Sequence, residues 1–297
     1  MRVGLVGLGR MGAAMAERLM EVGHELVVWN RSPGKADALV AKGARVAQSP
    51  AALAGEVESI LTMLTDAPAQ HAVYRGADGL LSADLAGRLV VEMSTVRPED
   101  QAALADAVRA KGAAFVECPV GGTVMPARTG KLIGLVGGEA ADVARARPIL
   151  DQLCRRVEHV GPVGAGASMK LAINLPLLVF YQALGEALTL CRHLGRDPAW
   201  LMEFFSDTSG GANVLKVRGP AIAEALSGKE PPVAFDLASI RKDLRTMIAE
   251  AASRGASLPL AERTLAVYDE AAAQGWDGRD GAVLPGYWPG RADGTGA

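Results

Sequence analysis

The strongest constraint on the fold is Gly7-Leu8-Gly9-Arg10-Met11-Gly12, which stands directly after the apolar run 2–6 and opens the amphipathic segment 11–22. Glycine is abundant, 35 in 297 residues, so the spacing alone says little; its place between a strand pattern and a helix pattern carries the weight. Gly7 permits a tight turn, Gly9 lets a ligand approach the backbone, and Gly12 lets helix and strand pack closely. The N-terminus of such a helix presents N–H groups and the positive end of its dipole, which together suit a pyrophosphate. The pattern predicts a dinucleotide site on a βαβ unit.

The rest of the first half keeps the same alternation. Strand patterns fall at 2–6, 25–29, 59–64, 88–93, 114–117, 131–136 and 156–160, with helical patterns at 11–22, 35–42, 68–74, 99–111 and 140–153. Alternating strands and helices predict a mostly parallel, doubly wound sheet. After Val163 the strand signal stops. A helix is predicted over 167–194, stopped by Gly195 and kinked just beyond Asn174 by Pro176, with further helices at 198–205, 237–253 and 260–274. The fold class is therefore α/β: a doubly wound Rossmann domain over 1–163, then an all-helical domain over 164–297 for substrate and oligomerisation. Within it, 209–216 with Asn213 and Lys216 reads as a loop, Trp200, Phe204 and Phe205 as core, and the tail from Pro289 as frayed.

Composition narrows the partners. A net charge of -2, with 22% charged residues and no dense Lys/Arg block, argues against nucleic acid and anionic membranes. Cys118, Cys154 and Cys191 are widely spaced, which fits a reducing compartment, and His24, His71, His159 and His193 show no ligand spacing, so no metal is expected. The run 1–6 is too short for a leader, and the longest apolar stretch, 171–181, contains Asn174 and Pro176 and is shorter than a membrane span of about 20 residues. The expectation is a cytoplasmic protein acting on a small molecule.

The cofactor preference is read at the end of the second strand. An acidic residue about 20 positions past the glycines would bind both ribose hydroxyls of NAD. Here that place carries Asn30, then Arg31 and Ser32. A guanidinium can clamp a 2′-phosphate that a carboxylate would repel, so NADP(H) is favoured and NAD(H) is the second choice.

Lys170 and Asn174 are four residues apart on the long helix and share one face, in a stretch that is otherwise apolar. A lysine among apolar walls loses its charge more easily, which suits acid/base work near neutrality. A lysine snorkelling out of a buried helix has equal weight on physical grounds alone.

Taken in order, the motifs resemble the β-hydroxyacid dehydrogenase family, which includes 3-hydroxyisobutyrate dehydrogenase, tartronate semialdehyde reductase and glyoxylate/succinic semialdehyde reductase. The similarity runs over about residues 2–272: the glycine turn, Trp29-Asn30-Arg31-Ser32, Met93-Ser94-Thr95, Glu117-Cys118-Pro119-Val120-Gly121-Gly122, Gly164-Ala165-Gly166 with Lys170 and Asn174, Phe235-Asp236-Leu237 and Lys242-Asp243-Leu244. The resemblance implies hydride transfer between NAD(P) and a short 3-hydroxy acid or its semialdehyde, in a homodimer or homotetramer built through the helical domain. It implies that Lys170 is the catalytic acid/base and that Asn174 helps place it and the substrate. Gly7 to Gly12, Asn30, Arg31, Ser32, Met63, Leu64, Thr65, Thr95 and Lys242 are then assigned to the cofactor, with Asp243 supporting Lys242. Gly121, Gly122 and Thr123 are assigned to the substrate carboxylate. The chain departs from the family where Gly121 replaces a serine, Ile173 replaces an asparagine, and Pro176 is unusual. An imine reductase of the same plan and a non-catalytic NADP-binding sensor are the alternatives; the presence of Lys170 counts against the first, and Lys170, Asn174 and Lys242 together against the second.

Overall fold

A computed structural model describes residues 1–292, and the chain divides into two compact units, Met1–Leu171 and Ala172–Ala297. In the first unit the strands are β1 Arg2–Val6, β2 Glu25–Trp29, β3 Arg45–Val46, β4 Ser59–Thr62, β5 Leu89–Glu92, β6 Ala114–Glu117, β7 Val120–Gly121, β8 Leu132–Gly138 and β9 Cys154–Gly161. Between them run α1 Arg10–Glu21, α2 Asp37–Val40, α3 Pro50–Glu56, α4 Ala67–Arg75, α5 Pro98–Arg109, α6 Val124–Arg128 and α7 Ala140–Leu153. The sheet order is β3-β2-β1-β4-β5-β6-β8-β7, with β9 on β8. Pairing is parallel from β3 to β6, as right-handed βαβ crossovers require, and turns antiparallel where β8 meets β6 and β7. This is the doubly wound sheet that the alternation predicts.

Side chains alternate across the sheet, so each strand feeds two cores. Leu26, Val28, Leu89, Val91 and Val116 pack with Met15, Leu19, Ile149 and Leu150 on one face. Val27, Ile60, Val90 and Phe115 pack with Leu53, Tyr74, Leu104 and Val108 on the other. Burial on both faces explains why the central strands read as unbroken apolar runs.

The division between the units falls inside α8, Ala165–Cys191. The second unit continues with α9 Pro198–Ser206, α10 Leu215–Leu226, α11 Leu237–Ser253, α12 Pro259–Ala271 and α13 Leu284–Ala292. Its core includes Leu178, Leu184, Met202, Ile222, Leu244 and Tyr268. Asp197 and Asp236 cap α9 and α11 by accepting the N–H of Trp200 and Ser239.

Several expectations need correction here. α8 starts two residues before the predicted helix, at Ala165, and keeps Pro176 inside it. Residues 215–226 form a helix, with Lys216 exposed on its first turn, because Leu215, Ile222 and Ala223 supply a buried face that the glycine cluster before it obscured. α2 spans four residues where eight were predicted. Trp200 and Phe204 are not core: they are 44% and 54% exposed and stack on each other with centroids 5.0 Å apart. Past Trp276 the described residues pack into the second unit. Asp280 is fully buried, pairs with Arg218 and accepts the N–H groups of Ala234 and Phe235. α13 carries the backbone past Pro289 to Ala292, and the rest of that expectation lies outside the described residues. The helix over Ala165–Leu194 is also longer than the apolar stretch read from sequence; by length and composition it could cross a membrane, yet it carries buried Lys170, Asn174 and Gln182.

Candidate active site

The turn after β1 is shaped by its glycines. Gly7 has φ +96°, and a Cβ there would overlap the carbonyl of Met63. A Cβ on Gly12 would overlap the carbonyl of Gly7, so the first turn of α1 can lie against the turn only without a side chain. At Gly9 the Cβ direction meets no atom within 4 Å, and α1 begins there with no side-chain cap. Open space in front of a twelve-residue helix N-terminus fits a pyrophosphate.

Asn30 does more than occupy the ribose end of β2. Its Oδ1 accepts the N–H of Leu8 at 2.9 Å, and its Nδ2 donates to the carbonyl of Ser32 at 3.1 Å. Arg10, Arg31 and Ser32 are exposed around this loop, and Met11 is half-buried. Next to it, Met63 and Leu64 are half-buried and Thr65 is exposed after β4; Leu64 donates its N–H to Ser94 Oγ at 2.8 Å, just before half-buried Thr95. A buried network backs both loops: Glu92 accepts from Thr62 Oγ1 at 2.6 Å and from Ser94 N at 2.7 Å, and Thr62 meets the Tyr74 hydroxyl at 2.9 Å. Burial pushes the Glu92 carboxyl and the Tyr74 phenol up.

Gly121 ends β7, and Gly122 has φ +124° with Leu132 and Pro126 crowding its Cβ position. Thr123 follows, half-buried, at the start of α6. Lys170 is 7% exposed on α8, and Asn174, one helical turn on, is also 7% exposed. In the second unit the Asn174 Nδ2 donates to Asp243 Oδ2 at 3.1 Å, while Lys242 Nζ lies 2.5 Å from Asp243 Oδ1. Buried Asp243 therefore holds the amide and the second lysine at once. An amide that donates from its nitrogen presents Oδ1 as its acceptor, the end that can orient an ammonium or a hydroxyl. Among the described residues no group of three or more His, Cys, Asp or Glu side chains could share a metal ion.

Sequence reasoning passed over Glu92 and quoted Glu117 only within a motif, with no role for either. Both end adjacent parallel strands, in register with each other. The available signal was a carboxylate closing an apolar run, Val90-Val91-Glu92 and Phe115-Val116-Glu117, where a fully buried charge is rare without partners.

Residues 2–161 match the family described as the NAD binding domain of 6-phosphogluconate dehydrogenase, and residues 164–286 that described as NAD-binding of NADP-dependent 3-hydroxyisobutyrate dehydrogenase. The chain is 34% identical to the 3-hydroxyisobutyrate dehydrogenase of Pseudomonas aeruginosa, over 87% of this chain and 88% of that one. It is 31% identical to glyoxylate/succinic semialdehyde reductase 2, chloroplastic, of Arabidopsis thaliana, over 94% and 76%. The structure of Mycobacterium tuberculosis 3-hydroxyisobutyrate dehydrogenase with L-serine superposes with a TM-score of 0.84 at 27% identity, covering 96% of this chain and 98% of that one. Relatives of this kind favour the dehydrogenase reading over an imine reductase or a sensor. With a glycine turn open at Gly9, a doubly wound sheet and a buried lysine on α8, the chain belongs to the β-hydroxyacid dehydrogenase family of NAD(P)-dependent oxidoreductases.

Proposed function

We propose that this protein interconverts a short 3-hydroxy acid and its semialdehyde, without a metal, with NADP(H) preferred over NAD(H) and Lys170 as the acid/base. The observation that carries the reading is the pair on α8: a buried lysine one turn before an amide whose nitrogen is fixed by Asp243. The nicotinamide, when bound, supplies or accepts the hydride at the substrate carbon. In reduction the new alkoxide oxygen takes a proton from the Lys170 ammonium; in oxidation the hydroxyl proton goes to its neutral amine. Asn174 orients that exchange. Arg31 and Ser32, exposed beside the glycine turn, support a 2′-phosphate, and Lys242 is assigned to the cofactor by its place in the family pattern. The exposed backbone at Gly122 and the Thr123 hydroxyl take the carboxylate role in place of the family's serine. L-serine, the compound named with the Mycobacterium tuberculosis relative, is itself a 3-hydroxy acid, which supports the substrate class. We place the enzyme in the cytoplasm as a homodimer or homotetramer.

The test is turnover of NADPH with a panel of short aldehyde acids, and of NADP with the matching 3-hydroxy acids, in chelator-treated protein. Lys170→Ala is expected to lower kcat by at least about 10²-fold with cofactor affinity near wild type. Turnover of cyclic imines alone, metal-dependent activity, or an active Lys170→Ala protein refutes the reading.

A further inference from the structure

Glu117 closes β6 with a carboxylate that is fully buried. Its Oε1 accepts the N–H groups of Gly164 at 2.6 Å and Gly166 at 2.8 Å, and its Oε2 accepts that of Ala167 at 3.3 Å. The surroundings leave room for this carboxylate and little else. A Cβ on Gly137 would overlap Oε1, and one on Gly166 would stand 3.2 Å from Oε1 while overlapping the carbonyl of Leu135. Gly164 takes φ +96° to turn the chain into α8. The N–H groups that Glu117 accepts lie at the start of a helix, where donors lack intrahelical partners and the dipole favours an anion. Lys170 follows Ala167 by three residues, less than one turn farther along α8.

We propose that Glu117 is a positioning residue: its carboxylate fixes the first turn of α8, and through that turn it sets the place of the Lys170 amine. The inference rests on Lys170 being the acid/base, as proposed above. A rigid helix transmits a displacement at its start to the next turn, and a misplacement of about 1 Å at a reacting group can cost about 10²-fold in rate.

The grip depends on the charge of Glu117. Burial pushes its carboxyl up to about 7, with the three N–H groups opposing the rise. The groups near it are the Glu92 carboxyl in register on β5 and the Cys118 thiol next in the chain, just past the end of β6. β8 and the start of α8 meet it with the backbone of Gly137, Leu135, Gly164, Gly166 and Ala167. A neutral carboxyl turns one oxygen into a donor and gives up the charge assistance, so it holds each of the three N–H groups more weakly than the anion does, although losing the buried charge stabilises the fold as a whole. The anion therefore places the start of α8 more closely than the neutral carboxyl does.

The experiment compares wild type with Glu117→Gln and Glu117→Asp in the full-length protein. It measures kcat against pH, NADPH affinity by fluorescence titration, and amide exchange of residues 164–170. Glu117→Gln should lose roughly 10- to 100-fold in kcat, keep its NADPH affinity, lose protection at 164–170, and lack the acidic limb that wild type shows near neutrality. Glu117→Asp keeps the charge on a shorter arm and should recover part of kcat. If Glu117→Gln does not fold, Glu117→Asp decides, since its shorter arm must lower kcat and protection at 164–170 while leaving NADPH affinity unchanged. A folded Glu117→Gln protein with wild-type kcat, unchanged protection in either comparison, or NADPH affinity falling in step with kcat overturns the proposal. Lys170→Ala separates the two readings. If it stays active, the role given to Lys170 fails, while the exchange data still report the grip on α8. If it is inactive and Glu117→Gln is not impaired, only the role given to Glu117 fails.

Discussion

Asn30 and Leu8 are joined by a hydrogen bond of 2.9 Å in which the backbone N–H of the glycine turn donates to the side-chain oxygen at the end of β2. The bond crosses from one βα loop to the next and sets the shape of the turn before any ligand arrives. The donor is not available to a phosphate; it positions those that are. Asn30→Ala leaves the Leu8 N–H without this partner, at a cost of about 1 kcal/mol in stability. Cofactor KM should rise several-fold with kcat little changed. Steady-state kinetics with cofactor varied, alongside thermal melts, checks this; a wild-type cofactor KM would mean the bond is incidental to the turn.

Arg31 lies next in the chain, and exposed. One charge-assisted contact to a 2′-phosphate is worth roughly 1.5–3 kcal/mol, or one to two decades in affinity. Arg31→Asp should reduce or reverse the proposed NADP preference in kcat/KM, because a carboxylate repels the phosphate and accepts from ribose hydroxyls. Equal kcat/KM for both cofactors in the wild type would remove the assignment.

How much of this was legible in the sequence varies with the physics behind each feature. The sheet was, because burial on both faces writes Val27-Val28 and Val90-Val91 as unbroken apolar runs bounded by turns. The short strands Arg45–Val46 and Val120–Gly121 were not, since two residues carry no period. α10 was hidden behind the polar cluster Ser209-Gly210-Gly211, and Gly219 and Pro220 lie inside the helix itself. In the site, Lys170 and Asn174 were visible as polar interruptions of an apolar helix. The bond from Asn174 to Asp243 spans 69 residues, and no local pattern encodes it. Glu117 was read as part of a motif, but its bond to Gly164 spans 47 residues and appears only in the fold.

Stability should depend on pH through Glu117 in a direction opposite to ordinary carboxylates. Its pKa is raised by burial from 4.5 to about 7 in the folded chain, so the fold binds that proton more tightly than the unfolded chain does. The contribution is full below pH 4.5 and is lost as pH rises to about 7, for a total on the order of 3 kcal/mol at about 1.4 per unit. Burial shifts Glu92 in the same direction, which adds to the slope. Urea midpoints of wild type and Glu117→Gln at pH 5 and pH 7.5 isolate the effect. The wild type should lose more stability than the variant across that interval, and parallel losses would show that Glu117 titrates normally.

Asp243 offers the sharpest test of how the acid/base proposed at Lys170 is kept in place. Its two oxygens hold different groups, Asn174 through Oδ2 and Lys242 through Oδ1, and the residue is 3% exposed. Hydrogen bonds to a buried charge are worth roughly 1.5–3 kcal/mol, more than a neutral pair, so the amide of Asn174 has little freedom. Asp243→Asn preserves the shape and removes the charge, which leaves an amide facing an amide. It should lower kcat about 10-fold, less than the loss expected for Lys170→Ala, because the proton donor is intact and only its orientation suffers. Asn174→Ala should cost a similar amount for the same reason. If the two residues act as one device, the double variant is no slower than the slower single, because each substitution already undoes what the other holds. Independent losses that multiply in the double variant would show that Asn174 serves the substrate directly and that Asp243 works through Lys242 alone.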